Sequence, residues 1–356
     1  MLNNEQRIIK NNNRCIELDY LRVFSTFAVM ILHIAGSNWY TTDVNGIEWQ
    51  TFNFYDSIVR WSVPVFVMIS GVLFLNREIN IRVLYSKYIF RMITAFIAWS
   101  FFYAIKIYLG GNGIASAIVS FVEGHYHMWF VFMIIGIYVC VPFVKEIVKS
   151  ERLVKYYLIL SFSFAFLIPQ IMMLISDFTP EFVIKVAGVV NSDVSNMNMS
   201  FVMGYIFYFI LGYYIYSIDL NKKHRMYIYF IGMLGFSMTV LLDLIVALKT
   251  QKYCSNYYGN FTINVLFESL AVFVFFKYHV FKNERINGFV IKLSKYSFGA
   301  YLVHACIIEI LPKFGINSLM CNPIIAVPVM GLIVFIISFS ISYIIHKIPI
   351  LNKYIV

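Results

Sequence analysis

Arg22 and His33 stand eleven positions apart within one apolar run, from Leu18-Asp19-Tyr20-Leu21-Arg22 to His33-Ile34-Ala35-Gly36. Charged and titratable side chains are costly in hydrocarbon, so such a pair marks a functional site wherever the run spans a membrane. At ~100° per residue, eleven positions end ~20° past three full turns, so both side chains share one helix face. At ~1.5 Å per residue they lie roughly 16 Å apart along the axis. A fixed cation at one end of that face suits an anionic group. An imidazole, with an ordinary pKa of ~6.5, suits proton transfer from a hydroxyl. The blander alternatives are an arginine snorkelling to headgroups and a hydrogen-bonded histidine holding helices together.

Other residues with chemical potential are scattered along the chain. Asp19 precedes Arg22 by three positions and is expected to pair with it. Asp56 and Arg60, four apart at the outer start of a second helix, form either a helix-end ion pair or, through Arg60, part of an outer substrate cavity. Ser70-Gly71 is either a helix-packing contact or a place where a ligand approaches the backbone closely. Arg82, Lys87 and Arg91 lie at the inner start of a third helix, Lys87 and Arg91 on one face. Such a cluster suits the phosphates of an acyl-coenzyme A, and equally suits ordinary loop charge. His125 and His127, two apart, are expected to point to different sides of a helix, which argues against a metal pair. His127 is placed near the mouth of the site. His304 and Glu309 are five apart, off a common stripe, and Asp243 and Glu268 are expected to face the interior of a bundle. The chain has no P-loop, no dinucleotide glycine fingerprint and no Gly-x-Ser-x-Gly elbow.

The elements that must position these residues follow from composition. The 356 residues are 60% hydrophobic and 13% charged, whereas soluble domains carry ~25% charge. Runs of ~20 apolar residues predict ten spans, at 18–37, 57–75, 88–109, 127–144, 154–176, 200–217, 226–248, 260–277, 296–312 and 323–345. The expectation is an all-α integral membrane bundle of about ten helices. Residues 1–15 read as a flexible tail and residues 16–356 as a single transmembrane domain, with connections too short for a further soluble domain. The first run is as long as a true span, so it reads as a retained helix rather than a cleaved signal. The net charge of +10 is concentrated in alternate loops, among them Arg77, Arg82 and Lys87, then Lys145, Lys149 and Arg152. That pattern places both termini in the cytoplasm and accounts for the charge without nucleic acid. Arg22 then sits near the cytoplasmic end of helix 1, and His33 ~22 Å above the helix start. Trp39, Tyr40, Trp49, Tyr126 and Trp129 read as an aromatic belt at the outer ends. Cys140 and Cys306 read as small core residues, and Cys254 and Cys321 as outer-loop cysteines within reach of a disulfide.

Four segments, in order, resemble the membrane acyltransferase 3 family. They are the Arg-x10-His of Arg22 and His33 after Leu-Asp-Tyr-Leu, the Phe-x-x-x-Ser-Gly of Phe66, Ser70 and Gly71, the basic run Lys87-x3-Arg91, and Tyr296-Ser297-Phe298-Gly299-Ala300-Tyr301-Leu302-Val303-His304. Lys87 stands where the family more often has arginine. The resemblance covers nearly the whole chain and implies a bacterial cytoplasmic-membrane enzyme that O-acylates surface carbohydrate. The type implied is the standalone one, without a fused extracytoplasmic domain. It further implies an acyl-CoA donor, acetyl-CoA first, and no resident cofactor or metal. Arg22 and His33 become the catalytic pair, with Arg82, Lys87 and Arg91 on the donor and Arg60, Ser70, His127 and His304 on the carbohydrate acceptor. Homo-oligomerisation stays open. The alternative is a transporter or flippase for a small amino acid or lipid-linked sugar, since buried charges also mark transport paths. Against it, the sequence has no internal repeat and no matched pair of Gly/Pro-broken helices.

Overall fold

In hydrocarbon, backbone N–H and C=O groups find no water, so long apolar runs must close their hydrogen bonds internally as helices. The computed structural model describes residues 14–355, and among these no strand occurs. Most of the expected tail, residues 1–13, lies outside the described residues. Among the described residues, nine helical stretches are long and apolar enough to cross a membrane, and the shorter helix Ile206–Ser217 joins them in the bundle. The protein is an all-α integral membrane bundle.

The helices are α1 (Ile16–Trp39), α2 (Ile47–Ser57), α3 (Ser62–Leu75), α4 (Phe90–Leu109) and α5 (Gly113–Glu123). Then come α6 (Trp129–Val148), α7 (Glu151–Ser161), α8 (Ile168–Phe178), α9 (Glu181–Asn196) and α10 (Ile206–Ser217). The chain continues with α11 (Lys222–Thr250), α12 (Ile263–Tyr278), α13 (Glu284–Ile310), α14 (Pro323–His346) and α15 (Pro349–Tyr354). Several starts are set by asparagine caps: Asn221, Asn283 and Asn322 each accept a hydrogen bond from a backbone N–H in the first turn that follows.

Three departures from the sequence reading matter for the site. The second crossing is broken at residues 58–61, between α2 and α3. Pro64 has no N–H to give the Arg60 carbonyl, which removes one helical hydrogen bond there; the turns close instead from Val59 to Asp56 and from Arg60 to Ser57. Asp56 and Arg60 are therefore inside the bundle rather than at an outer helix start, and Asp56 is 2% exposed. The expected span 200–217 is helical only from Ile206. α10 begins where the Tyr208 hydroxyl donates to the Asn260 carbonyl (2.6 Å) and ends where the Tyr216 hydroxyl donates to Glu17 (2.7 Å). Finally, Trp39 and Trp49 do not form a lipid-facing belt; they stack at 5.7 Å and are buried.

α3 and α10 touch through backbone. A Cβ on Gly71 would meet the Phe209 carbonyl oxygen at 1.8 Å, and one on Gly212 would meet that of Met68 at 2.3 Å. Gly71 is thus a packing residue, while Ser70 beside it faces a cavity. Gly71→Ala is expected to push the two helices apart and destabilise by at least ~3 kcal/mol, the upper end of ordinary overpacking. A detergent-solubilised variant that melts with wild type would contradict this packing.

All five cysteines are free, Cys254 buried and Cys321 exposed, so the structure does not join them. Burial pushes the Cys254 thiol up to about 12. At neutral pH it stays protonated, a poor nucleophile. A maleimide is expected to label Cys321 in the native protein and to reach Cys254 only after unfolding; equal labelling would refute the buried placement.

Candidate active site

α1 carries Arg22 and His33 along one face, as the spacing requires, and both line cavities inside the bundle. The first cavity, of about 730 Å³, opens among Arg14, Arg22, Arg77, Arg91 and Lys295 and reaches Ser70, Phe66, Phe130 and His33. With Arg60 at its far end it is lined by six cationic side chains and no carboxylate. The second, of about 1090 Å³, is lined by Ser37, Asn38, Tyr40, Tyr126, Ser255, Tyr258 and Asn317 among others. Its two carboxylates are already engaged, Asp56 with Arg60 and Glu309 with Lys106 and His125. Leu32, His33, Arg60 and Asn260 line both cavities. They form a neck between a basic chamber and a polar, aromatic one.

The contacts of α1's pair bear on its two readings. A structural histidine should be hydrogen-bonded. His33 makes ring contacts with Tyr126 and His304, each at 5.2 Å, but no hydrogen bond to any described residue. A snorkelling arginine should reach the membrane surface. Arg22 instead faces the basic cavity, and its guanidinium has no hydrogen bond or ion pair with any described residue. The expected Asp19–Arg22 pair does not form, because Asp19 accepts from Arg14 through both carboxylate oxygens.

Behind His33 lies a line of titratable rings. The Nδ1–H of His304 donates to the Tyr301 carbonyl, which leaves Nε2 as an acceptor. His304 contacts His127 at 5.1 Å, His127 and His125 approach through their Nδ1 atoms at 3.0 Å, and His125 Nε2 meets Glu309 at 2.8 Å. His125 also stacks on Tyr103 at 4.0 Å. The expectation that His125 and His127 diverge fails because His127 lies in a 3-10 turn, Tyr126–Met128, with His125 just before it, rather than both sitting on an α-helix. Among the described residues, no three His, Cys, Asp or Glu side chains are arranged to hold a metal.

The structure brings Arg22, His33, Arg60, Ser70, Arg91 and His127 to cavity walls. His127 is buried well inside rather than at the mouth, and His304 is buried behind His33 and lines neither cavity. Arg82 and Lys87 are exposed and are not brought to a cavity wall. The π-helical turn Leu84–Ile89, just before α4, carries Lys87 out of α-helical register with Arg91. Arg14, Arg77 and Lys295 take the expected place of that pair. The sequence shows them as loop charges, and only the packing of α1, α3 and α13 gathers them.

The acyltransferase-domain family model matches residues 16–347, nearly the whole chain. The protein belongs to the acyltransferase 3 family. Comparison with curated proteins and with solved structures finds no match. As a multi-pass membrane acyltransferase, it brings Arg22 and His33 from α1, Ser70 from α3 and Arg91 from α4 to the wall of one cavity, with His304 from α13 in ring contact with His33. His304→Gln, which keeps an acceptor but loses the ring, is expected to lower turnover by ~10-fold with the fold retained; unchanged turnover would remove His304 from the support of His33.

Proposed function

We propose that this acyltransferase moves an acyl group, acetyl in the first instance, from acyl-CoA at the cytoplasmic face to a hydroxyl of a carbohydrate presented at the opposite face of a bacterial cytoplasmic membrane. The observation that carries the reading is the neck. A chamber lined by cations and no carboxylate meets a polar, aromatic chamber at an imidazole that has no hydrogen-bond partner among the described residues. Phosphates favour such a cluster of arginines. The loop-charge alternation favours the cytoplasm for the basic end. Amide, hydroxyl and aromatic groups such as Asn38, Asn317, Ser37, Tyr40 and Tyr126 suit sugar hydroxyls and sugar faces.

In this reading Arg22, with Arg91, Arg77 and Lys295 around it, holds the donor's phosphates. The roughly 16 Å from Arg22 to His33 matches an extended pantetheine arm, whose path along Phe66, Leu73 and Ile134 is apolar. His33 takes the proton of the acceptor hydroxyl. The test is to give membrane vesicles from producing cells acetyl-CoA labelled in the acetyl group. Alkali-labile label in carbohydrate, with one coenzyme A released per ester, is expected. Proteoliposomes that take up sugar or amino acid without a donor, and form no ester, would sink the reading in favour of transport.

A further inference from the structure

We propose that Arg60 is the oxyanion-stabilising catalytic residue of this transfer, held in place by Asp56 and Tyr258. The inference rests on the acyl-transfer reading above and adds a residue role to it.

An acyl transfer between two chambers must take place where they meet. Of the four residues lining both, only His33 can take a proton and only Arg60 carries a fixed positive charge. Leu32 is apolar, and the Asn260 amide already donates to the Tyr205 hydroxyl at 2.7 Å. Arg60 is held from two sides. Its Nη2 donates to Asp56, and its guanidinium carbon lies 4.1 Å from the centre of the Tyr258 ring. Tyr258 is in turn fixed by donating its hydroxyl to Asn53. Arg60 Nη1 donates to no described residue. Arg60 lies in the break at residues 58–61, between α2 and α3, and its side chain lines both cavities. A cation fixed before reaction is the arrangement that stabilises charge developing in a transition state.

The step balances as follows. The acceptor hydroxyl gives its proton to His33 while its oxygen bonds to the thioester carbon. The carbonyl π pair moves onto the oxygen, and that oxyanion sits against Arg60. On collapse the C–S bond breaks, and the coenzyme A thiolate takes the proton from His33. Ester and thiol are the products.

The test uses the same vesicles and labelled acetyl-CoA, at saturating and limiting donor. Arg60→Gln is expected to lower kcat by ~10²–10³-fold, with the KM for acetyl-CoA within about threefold of wild type. Because that variant leaves the Asp56 carboxylate buried and alone, it can fail to fold. Asp56→Asn/Arg60→Gln removes both charges, and the same loss of kcat is expected from it in protein that elutes and melts as wild type. A folded variant with kcat within threefold of wild type, or a loss confined to KM, would overturn the assignment while wild-type labelling keeps the acyl-transfer reading intact. No label in wild type would sink that reading, and this assignment with it.

Discussion

His33→Ala is expected to lower the turnover number by on the order of 10³-fold, within the range of a general base, with the KM for acyl-CoA changed by less than about threefold. The split follows from distance. In the proposed reading the donor's charged end is held by cations near Arg22, roughly 16 Å of helix away, so removing the imidazole should leave donor binding intact. Folding should survive as well. His33 contributes ring contacts with Tyr126 and His304 and no hydrogen bond to any described residue. Initial rates of labelled ester formation, read beside the melting temperature of the solubilised variant, check both halves. A stable variant with more than about a tenth of wild-type turnover would exclude His33 as the base. If His33 instead carries the acyl group covalently, His33→Ala and His33→Gln lose coenzyme A release along with ester formation, because the first half-reaction is then gone too.

The helical architecture is readable from the chain because spanning a membrane imposes a length that apolar runs display directly. Every expected span has a helical counterpart, and the Arg22–His33 face follows from helix geometry alone. What hides is whatever interrupts a helix. The break before Pro64, the turn holding Tyr126–Met128 and the π-helical turn Leu84–Ile89 each change the direction of a functional side chain. Periodicity cannot signal them, since it assumes the regular helix that they violate. Thus Arg60 appears from sequence as half of a helix-end pair or as part of an outer cavity, His125 as a residue pointing to another side than His127, and Lys87 as a partner of Arg91 on one face. The basic chamber is hidden for another reason. Arg14, Arg77 and Lys295 come from three separate segments, and only tertiary packing distinguishes them from loop charge that merely orients the protein. Glu309 is the mirror case: off any common stripe with His304, it finds its partners, Lys106 and His125, on other elements.

Arg22→Gln is expected to weaken donor use without weakening the fold, and the two effects have one cause. Arg22 faces a chamber shared with Arg14, Arg77, Arg91 and Lys295. Asp19, the carboxylate three residues before it, is committed to Arg14. An arginine in that position is repelled by its neighbours and leaves no protein partner orphaned when it is removed. Its replacement by a neutral amide should therefore keep the melting temperature of the ligand-free protein or raise it, the usual sign of a residue retained for function rather than stability. With donor present, the loss of a charge-assisted hydrogen bond of ~1.5–3 kcal/mol predicts a fall of ~10- to 100-fold in kcat/KM for acyl-CoA. Arg22→Glu turns attraction into repulsion worth several kcal/mol, so ~10³-fold is expected, and added salt should narrow the gap to wild type by screening. Thermal stabilisation by coenzyme A gives the same information without catalysis. Wild type should gain stability with ligand concentration, and Arg22→Glu should gain almost none at the same concentrations. Equal stabilisation of both would place the phosphates elsewhere. A lower melting temperature for ligand-free Arg22→Gln would make the guanidinium a structural group after all, because only a side chain with a favourable partner costs stability when its charge is lost.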